Sequence, residues 1–384
     1  MVDGLPRIQP QVAADSLASR VDCGPDGCTV DWLAASRLVV DDDPVEFQRF
    51  ATDAGFGDGL PLIPPTETRV RDCVAASGRF PDEVIGLVPP HNGRATVEKV
   101  AINAVMAGAP AAAMPLLIAA LDAMLDPQFN LFALNTTTCC VVPGLFVNGP
   151  VRNELGLSMG AGCYGGDASA SAAIGRATRL LMRNIGGQRI GLSSKSVFGQ
   201  PGRVSGICVG EWEERSPWAP LSERRGIANG ASAVTVHGVT GTVDIADIVA
   251  HDGATLVEVI GKSLAILGTN AFIGGWHGAE VMVAIAPPWA DLIARVYPDI
   301  DEMTAMLWKH AALPLSFWPQ AHQRDLESRG RVGAGGTVSL VETPQHLLVI
   351  VNGGLANLHA LAMHSFGPTK SVTRTLHEPN PAHR

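Results

Sequence analysis

Apolar positions along the chain follow the two periods of regular secondary structure in turn. Helical spacing predicts α-helices over residues 97–108, 116–125, 169–184, 255–267, 287–296 and 301–311. Short β-branched and apolar runs predict buried strands over 139–147, 204–212, 232–238, 280–286 and 347–351. Because strands and helices alternate, the pattern indicates α/β layers rather than a helical bundle.

The first 56 residues are predicted to form an N-terminal helical appendage. Asp41-Asp42-Asp43-Pro44 supplies a cap and a first-turn proline for a helix that runs to about Ala54. The proline-rich segment 57–66 is an extended, rigid entry into the main body, since proline fixes φ and removes a backbone donor.

A short segment of the sequence occurs twice. Residues 147–159 align with residues 351–363, and six of these thirteen pairs are identical. Chance matching of common Asn-Gly turns is the alternative, but both copies follow a predicted strand. We therefore predict an internal duplication, with two pseudo-symmetric α/β halves at 57–205 and 206–384. The two turns, Asn148-Gly149 and Asn352-Gly353, would then converge as substrate-binding elements at the carboxyl ends of strands.

Composition narrows the class of protein. Of 384 residues, 46% are hydrophobic and 17% charged, which is typical of a chain that buries a large core and favours a homo-oligomer. A net charge of −9 argues against nucleic-acid binding. The N-terminus lacks the apolar region of a secretory signal, and the apolar stretch 109–125 is interrupted by prolines, so we expect a cytoplasmic protein with reduced cysteines and no membrane span.

The glycine-rich segment 160–167 precedes the predicted helix at 169–184. Glycines let the backbone approach a ligand, and free N–H groups at a helix start attract anions. We expect an anionic group to bind at Gly165 and Gly166. Arg176, which follows the first Asn-Gly turn, and Ser371 and Arg374, which follow the second, are expected to contribute to the same site. The alternative is a glycine turn beside a solvated basic face, because Arg176, Arg179 and Arg183 share one side of the helix.

Four residues are candidates for catalysis. Cys163 lies between glycines near a helix start, where a lowered pKa would favour the thiolate, and Cys208 lies on the strand leading to Glu211. Glu211, beside Trp212, has the surroundings of a carboxylate with a raised pKa, and His359 lies in the second copy of the repeat. Inert buried thiols, a polar strand end and a structural histidine are the alternatives.

Metal-binding signals in the sequence are weak. Cys23 and Cys28 form a single pair, without the second pair that a structural zinc site requires, and there is no HExxH motif. We predict no metal and no cofactor.

Several motifs resemble a family of uncharacterised bacterial proteins. They are Asp58–Thr66, Ala95–Glu98, Asn103–Gly108, Val147–Pro150, Ile174–Ala177, Gly199–Gly202, Ser216–Leu221, Ser365–Gly367 and Ser371–Arg374, within about residues 57–374. Members of that family are often encoded beside a small protein with a UGSC or CGSC motif, so the resemblance implies a thiol- or selenol-containing partner. The chain departs from the family pattern at Ala109, where a cysteine is usual, and in having Cys163 and the Cys139-Cys140 pair.

These observations predict an enzyme that cleaves a bond in a small anionic organic molecule, as a hydrolase or lyase, with cysteine or carboxylate assistance at a site between the two halves. Two alternatives remain open. One is a non-catalytic subunit that binds a small thiol or selenol redox partner. The other is a metalloenzyme that uses cysteine and histidine ligands.

Overall fold

The computed structural model describes residues 33–40, 43–273, 278–367 and 369–377, and the backbone alone of 21–24 and 27–30. The strands are β1 (Val21–Gly24), β2 (Gly27–Val30), β3 (Val84–Val88), β4 (Gly93–Thr96), β5 (Val142–Asn148), β6 (Ile207–Gly210), β7 (Ala233–Val239), β8 (Val243–Ala246), β9 (Val281–Ile285), β10 (Ala312–Pro314), β11 (Thr337–Ser339), β12 (Leu347–Val351), β13 (His359–His364) and β14 (Val372–Thr375). The chain has an α/β fold.

The helices confirm the predicted helical segments to within a few residues. They are α1 (Pro44–Asp53), α2 (Glu67–Ser77), α3 (Val97–Ala107), α4 (Met114–Leu125), α5 (Leu131–Thr136), α6 (Val151–Glu154), α7 (Ala170–Asn184), α8 (Gly202–Ser205), α9 (Leu221–Arg224), α10 (Gly253–Leu264), α11 (Pro287–Ala294), α12 (Ile300–His310) and α13 (Gln320–Ser328). Asp43 caps α1 by accepting from two backbone amides, and Pro44 occupies its first position, as predicted.

Two four-stranded mixed sheets form the centre of the molecule. Sheet A has the order β14-β7-β5-β6 and sheet B the order β12-β9-β13-β8. In each sheet one edge pair is parallel, β5 with β6 and β12 with β9, and the other pairings are antiparallel. Helices α3, α4 and α7 share a core with the outer face of sheet A, and α10, α11 and α12 share one with the outer face of sheet B.

The inner faces of the two sheets pack on each other. Phe146 and Val209 of sheet A meet Met282, Ile350 and Met363 of sheet B in one buried cluster. Side chains alternate between faces along a strand, so the neighbouring residues Leu145 and Val349 point to the helical layers instead. The architecture is therefore a four-layer α/β/β/α arrangement.

The connections do not follow the predicted halves. The expected boundary between 205 and 206 falls between β5 and its parallel partner β6, within sheet A. After β7 the chain enters sheet B as β8, and after β13 it returns to sheet A as β14. The two copies of the sequence repeat follow β5, an inner strand, and β12, an edge strand, so they occupy different positions and the strand order does not confirm a duplication in that register.

Three further segments differ from expectation. Residues 359–364, for which no strand is predicted, form β13, because the apolar run 360–363 pairs with β9. The strand predicted over 204–212 is shortened to β6 by a short helix before it and a 3₁₀ turn at Glu213–Arg215 after it. Residues 33–56, expected in an appendage, pack Phe47 and Ala51 into the same core as α3 and α4.

Candidate functional site

Three polar residues extend the inner faces of the sheets at the carboxyl ends of their strands. Asn148 ends β5, Glu211 follows β6 and Asn352 follows β12. Each has the same parity as an inner-face residue of its strand, so all three point between the sheets. The Trp212 N–H donates to Val351 O at 2.7 Å, which joins the strand ends of the two sheets. We call this place the rim site and define it by these three residues with Cys163 and Tyr164.

Glu211 is the central ionisable group of the rim site. Its side chain is 2% exposed, and its Oε2 accepts from Asn148 Nδ2 at 2.7 Å and from the Leu221 N–H at 2.8 Å. Burial raises the pKa of Glu211 above its ordinary value, although Arg224, Asn148 and Leu221 act in the opposite direction. Within the described residues Oε1 accepts no hydrogen bond, and it is not among the fully buried atoms without a partner, so it keeps some contact with solvent. This carboxyl group is held by one oxygen and free at the other.

An ion-pair network centred on Arg152 holds the residues around Glu211 in place. The buried Arg152 pairs with Glu213 at 2.9 Å and Glu214 at 3.0 Å, and its Nε donates to Gly149 O. Glu213 Oε1 in turn accepts from Asn148 Nδ2 at 2.9 Å and from the Gly149 N–H at 2.8 Å. The sequence places Arg152 on the first turn after β5 because α6 starts there. All of these donors are used within the protein, so the network positions groups rather than a ligand.

The second Asn-Gly turn faces the glycine loop, residues 160–167. Asn352 Nδ2 donates to the Tyr164 hydroxyl at 3.0 Å, and the Gly353 N–H donates to Met159 O at 2.9 Å. Burial and the nearby Cys163 and Glu211 raise the pKa of Tyr164 well above its ordinary value, so its hydroxyl stays protonated. Tyr164 is therefore a neutral hydrogen-bonding group beside Glu211.

The glycine loop lies over the rim site and covers it. Gly162, Gly165 and Gly166 have φ values of 73°, 157° and 95°, which side chains rarely adopt. Ala161 lies against Gly354, whereas no atom lies within 4 Å of the place that a Cβ on Gly165 or Gly166 would take. The loop ends where Ser169 caps α7, and Asp167 accepts from the Ser158 hydroxyl at 2.6 Å. The predicted glycine backbone lies open to solvent beside the site.

The surroundings of the two candidate cysteines do not favour the lowered pKa expected for Cys163. Burial raises the pKa of Cys163 to about 11 and that of Cys208 to about 12. Cys163 lies in the cluster between the sheets, next to Gly353, whereas Cys208 points to the opposite face of β6, into the core under α7. Cys163 is thus a protonated thiol within the site, and Cys208 is a core residue outside it.

The two predicted anion-binding arginines are paired elsewhere. Arg176 forms a two-bond contact with Asp58 at 2.8 Å for each bond. Arg374 pairs with Asp122 and Asp126 at 2.7 Å for each, on the helical side of sheet A. Since carboxylates neutralise both guanidinium groups, the structure does not bring either arginine to the glycine loop.

Ser371 and His359 also lie outside the rim site. Ser371 is buried, and its hydroxyl lies 2.8 Å from His237 Nδ1, while its N–H donates to Glu280. Burial lowers the pKa of His237 to about 4, so this pair is neutral. His359 is exposed at the start of β13, and its Nδ1 lies 3.2 Å from Asp244 Oδ1. Because β13 is two strands away from β12 in sheet B, His359 is separated from the end of β12 by about 10 Å.

Reasoning from the sequence missed Tyr164 and Arg152 as site residues. Tyr164 is one of only two tyrosines in the chain and lies within the glycine loop, so an aromatic residue among glycines was the available signal. Arg152 gave no signal, because the three glutamates that it contacts lie about sixty residues later in the chain.

Neither a protein-family model nor a curated protein matches the chain. Among the described residues no group of three or more His, Cys, Asp or Glu side chains is placed to hold a metal ion; the side chains of Cys23 and Cys28 are outside the described part. In the same residues no single helix is long and apolar enough to cross a membrane, and the segments 111–125 and 127–136, bent by 71°, reach that length and apolarity only as a pair.

Proposed function

We propose that the protein is an enzyme that cleaves a bond in a small organic molecule at the rim site, as a hydrolase or lyase, with Glu211 as its acid and base. The observation that carries this proposal is a buried carboxyl group of raised pKa whose Oε1 has no protein partner among the described residues. A structural carboxylate is normally satisfied at both oxygens, whereas a catalytic one keeps an oxygen for the reacting group.

The proton balance of the reaction follows from this arrangement. The protonated Glu211 donates its proton from Oε1 to the leaving atom as the bond to that atom breaks, which leaves Glu211 as a carboxylate. The carboxylate then takes a proton from an attacking water in a hydrolysis or from the substrate carbon in an elimination, and the acid is restored. Asn148 and the Leu221 N–H stabilise the carboxylate at Oε2 during the cycle.

Substrate recognition falls to neutral groups. Tyr164 and Asn352 offer a hydroxyl and an amide beside Glu211, and the open backbone at Gly166 offers an N–H group, whereas the Gly165 N–H donates to Gly162 O at 2.9 Å. An anionic group on the substrate would bind the Gly166 N–H, because Arg176 and Arg374 are already paired. Cys163 would contribute as a neutral thiol, since a group with a pKa of about 11 is protonated near neutral pH.

The test is a substrate screen with the wild-type chain and three variants. A panel of small amides, esters and hydroxy or amino acids is followed by mass spectrometry for bond cleavage. We expect Glu211→Gln to lower turnover by about 100-fold or more, because proton transfer of this kind contributes 10²–10⁴-fold. Cys163→Ala should retain most of the turnover, and the exposed Glu327→Gln is the matched control. The role of Glu211 would be contradicted if Glu211→Gln kept full turnover, or if Cys163→Ala were the only variant to lose turnover.

A second candidate function, binding of a partner protein, is favoured by one observation. The loop after α7 exposes four large apolar side chains, and their exposed fractions are 66%, 75%, 69% and 79% for Ile190, Leu192, Val197 and Phe198. Exposed apolar patches of this kind mark interaction sites. If the partner is a small CGSC-motif protein, Leu192→Ser with Phe198→Ser should abolish its co-purification and leave Glu211-dependent turnover unchanged. Retained co-purification would exclude this loop.

A further inference from the structure

Three arginines form a second polar cluster, away from the rim site. Arg179 and Arg183 lie one turn apart on α7, and Arg203 lies on α8. Close packing of Gly175 against Gly206 brings the two helices together, since a Cβ on Gly206 would lie 2.1 Å from Gly175 O. Arg179 Nε donates to Arg203 O at 3.3 Å. We call these three residues the arginine cluster.

Each guanidinium of the arginine cluster has an unused donor. Arg179 Nη1, Arg183 Nε and Arg203 Nε are buried and have no hydrogen-bond partner. Arg179 is only 8% exposed, and its other terminal nitrogen, Nη2, donates to Gln188 Oε1. Buried N–H groups are paired in the great majority of folded proteins, so three orphan donors in one cluster indicate a missing acceptor.

No ion pair in the described part of the chain compensates the charge of the cluster, and only Arg183 is attracted from a greater distance by a carboxylate, that of Asp58. Within the described residues no carboxylate lies within 4 Å of Arg179, Arg183 or Arg203, although Arg176 on the same helix pairs with Asp58. Burial, with repulsion from Arg203 and Arg183, lowers the pKa of Arg179 to about 9, which leaves it charged at neutral pH. A buried cation without an anion is strongly destabilising.

A water molecule does not resolve both problems. The unpartnered Asn135 Oδ1 lies on the residue that accepts from Gln188, so a water could bridge it to Arg179. Such a water would satisfy one N–H but would leave the charges of Arg179 and Arg203 without an anion and that of Arg183 with only the more distant Asp58. A dianion satisfies donors and charge together, because guanidinium groups match the oxygens of a phosphate.

We propose that the arginine cluster binds a phosphate group. The half-buried Arg183 and Arg203 provide the route from the surface, and Arg179 forms the floor. Arg179 lies nine residues into α7, which separates it from the start of the helix beside the glycine loop by about 13 Å. The cluster is therefore a binding site of its own and does not depend on the proposed catalytic role of Glu211.

The experiment is calorimetric titration of the full chain with inorganic phosphate, at constant ionic strength set with sodium chloride. We expect one saturable site per chain and a Kd that rises about tenfold or more in Arg183→Gln and in Arg203→Gln. Arg331→Gln, a half-buried arginine in the other half of the chain, is the matched control and should bind as the wild type does. A second titration with glycerol 3-phosphate distinguishes the sources, since tighter binding than inorganic phosphate indicates an organic phosphate ligand.

Thermal unfolding of Arg179→Met provides an independent measurement. In chloride this variant should unfold at or above the wild-type temperature, because it removes an uncompensated buried charge, and phosphate should stabilise only the wild type. The proposal is overturned if phosphate shows no saturable binding, if the cluster variants bind as tightly as Arg331→Gln, or if Arg179→Met is destabilised equally in both salts. The last result would show that the contacts of Arg179 with the protein and water stabilise it without a phosphate.

Discussion

The two Asn-Gly turns share a dipeptide and a strand end but differ in what surrounds them. At the first turn Asn148 and Gly149 donate to the carboxylates of Glu211 and Glu213, and the backbone of residues 231–232 packs directly against Gly149. At the second turn Asn352 donates to a hydroxyl on the glycine loop, and Gly353 has free space. The first turn therefore holds Glu211, and the second holds the glycine loop. Identical local sequence acquires its role from its neighbours.

The largest difference between the turns is expected on replacing their glycines. A Cβ on Gly149 would lie 2.5 Å from Ala231 O and 2.6 Å from Ser232 Cα at a φ of 81°. Gly149→Ala should destabilise the protein by about 3 kcal/mol or more. Gly353→Ala, with φ of 100° and nearest atoms at 4.0 Å, should lose about 1–2 kcal/mol from backbone strain alone. Urea unfolding measures both values, and equal losses would contradict the contrast.

A smaller difference is expected at the two asparagines. Asn148→Ala removes donors to two carboxylates and should destabilise the fold by about 2 kcal/mol, whereas Asn352→Ala removes a neutral hydrogen bond and should lose about 1 kcal/mol. Asn148→Ala should also raise the pKa of Glu211 further, since Asn148 opposes the effect of burial. Infrared titration of the protonated carboxyl band measures that pKa; no change would show that Asn148 does not stabilise the carboxylate.

Tyr164→Phe tests the second turn with a still smaller change. Loss of the hydroxyl leaves Asn352 Nδ2 with only a 3.5 Å contact to Gly210 O, so we expect a destabilisation of about 1 kcal/mol. If Tyr164 contacts the substrate, turnover should fall more than stability does. Turnover that falls only in proportion to the folded fraction would limit Tyr164 to a structural role.

The pH dependence of stability should have opposite signs for two carboxyl groups of the first turn. The raised pKa of Glu211 contributes stability below its ordinary value of 4.5, and this stability is lost as pH rises through the folded-state pKa. Arg152 lowers the pKa of Glu214, so Glu214 contributes stability above 4.5 that is lost as pH falls. Relative to the wild type, Glu211→Gln should gain stability as the pH rises above 4.5, whereas Glu214→Gln should lose stability as the pH rises toward 4.5 from below. Urea unfolding of the wild type and both variants at a series of pH values measures these stabilities. Relative stabilities that change with pH in the same direction for both variants would contradict the assignment.

Local patterns predicted most of the elements but not the sheets they form. The apolar runs at β5, β9 and β12 and the helical spacing of α3, α4 and α7 are strong because both faces of those strands and one face of those helices are buried. The chain passes from sheet A to sheet B between β7 and β8 and returns between β13 and β14. No local sequence pattern marks these passages, because strand partners are selected by long-range packing. The domain boundary expected at 205/206 therefore divides strands that are hydrogen-bonded to each other.

The candidate site shows the same division. Asn148, Glu211, Asn352 and Cys163 were indicated by their position at strand ends and in the glycine loop, and the structure places them together. Arg176, Arg374, Ser371 and His359 had equally reasonable positions, but carboxylates and a histidine tens to hundreds of residues away engage them. Charge partners at such separations cannot be read from spacing.

The sequence by itself determined the α/β class, the main helices and strands, and the strand-end turns, because these depend on periodicity and on the conformational limits of glycine, proline and asparagine. Only the tertiary structure decided which charges are neutralised and which are left free. It paired Arg176 with Asp58, buried Glu211 with one free oxygen and left one donor of each arginine in the arginine cluster without an acceptor. The reason is that pKa and charge depend on burial and on neighbours within a few ångströms, which only the folded chain assembles.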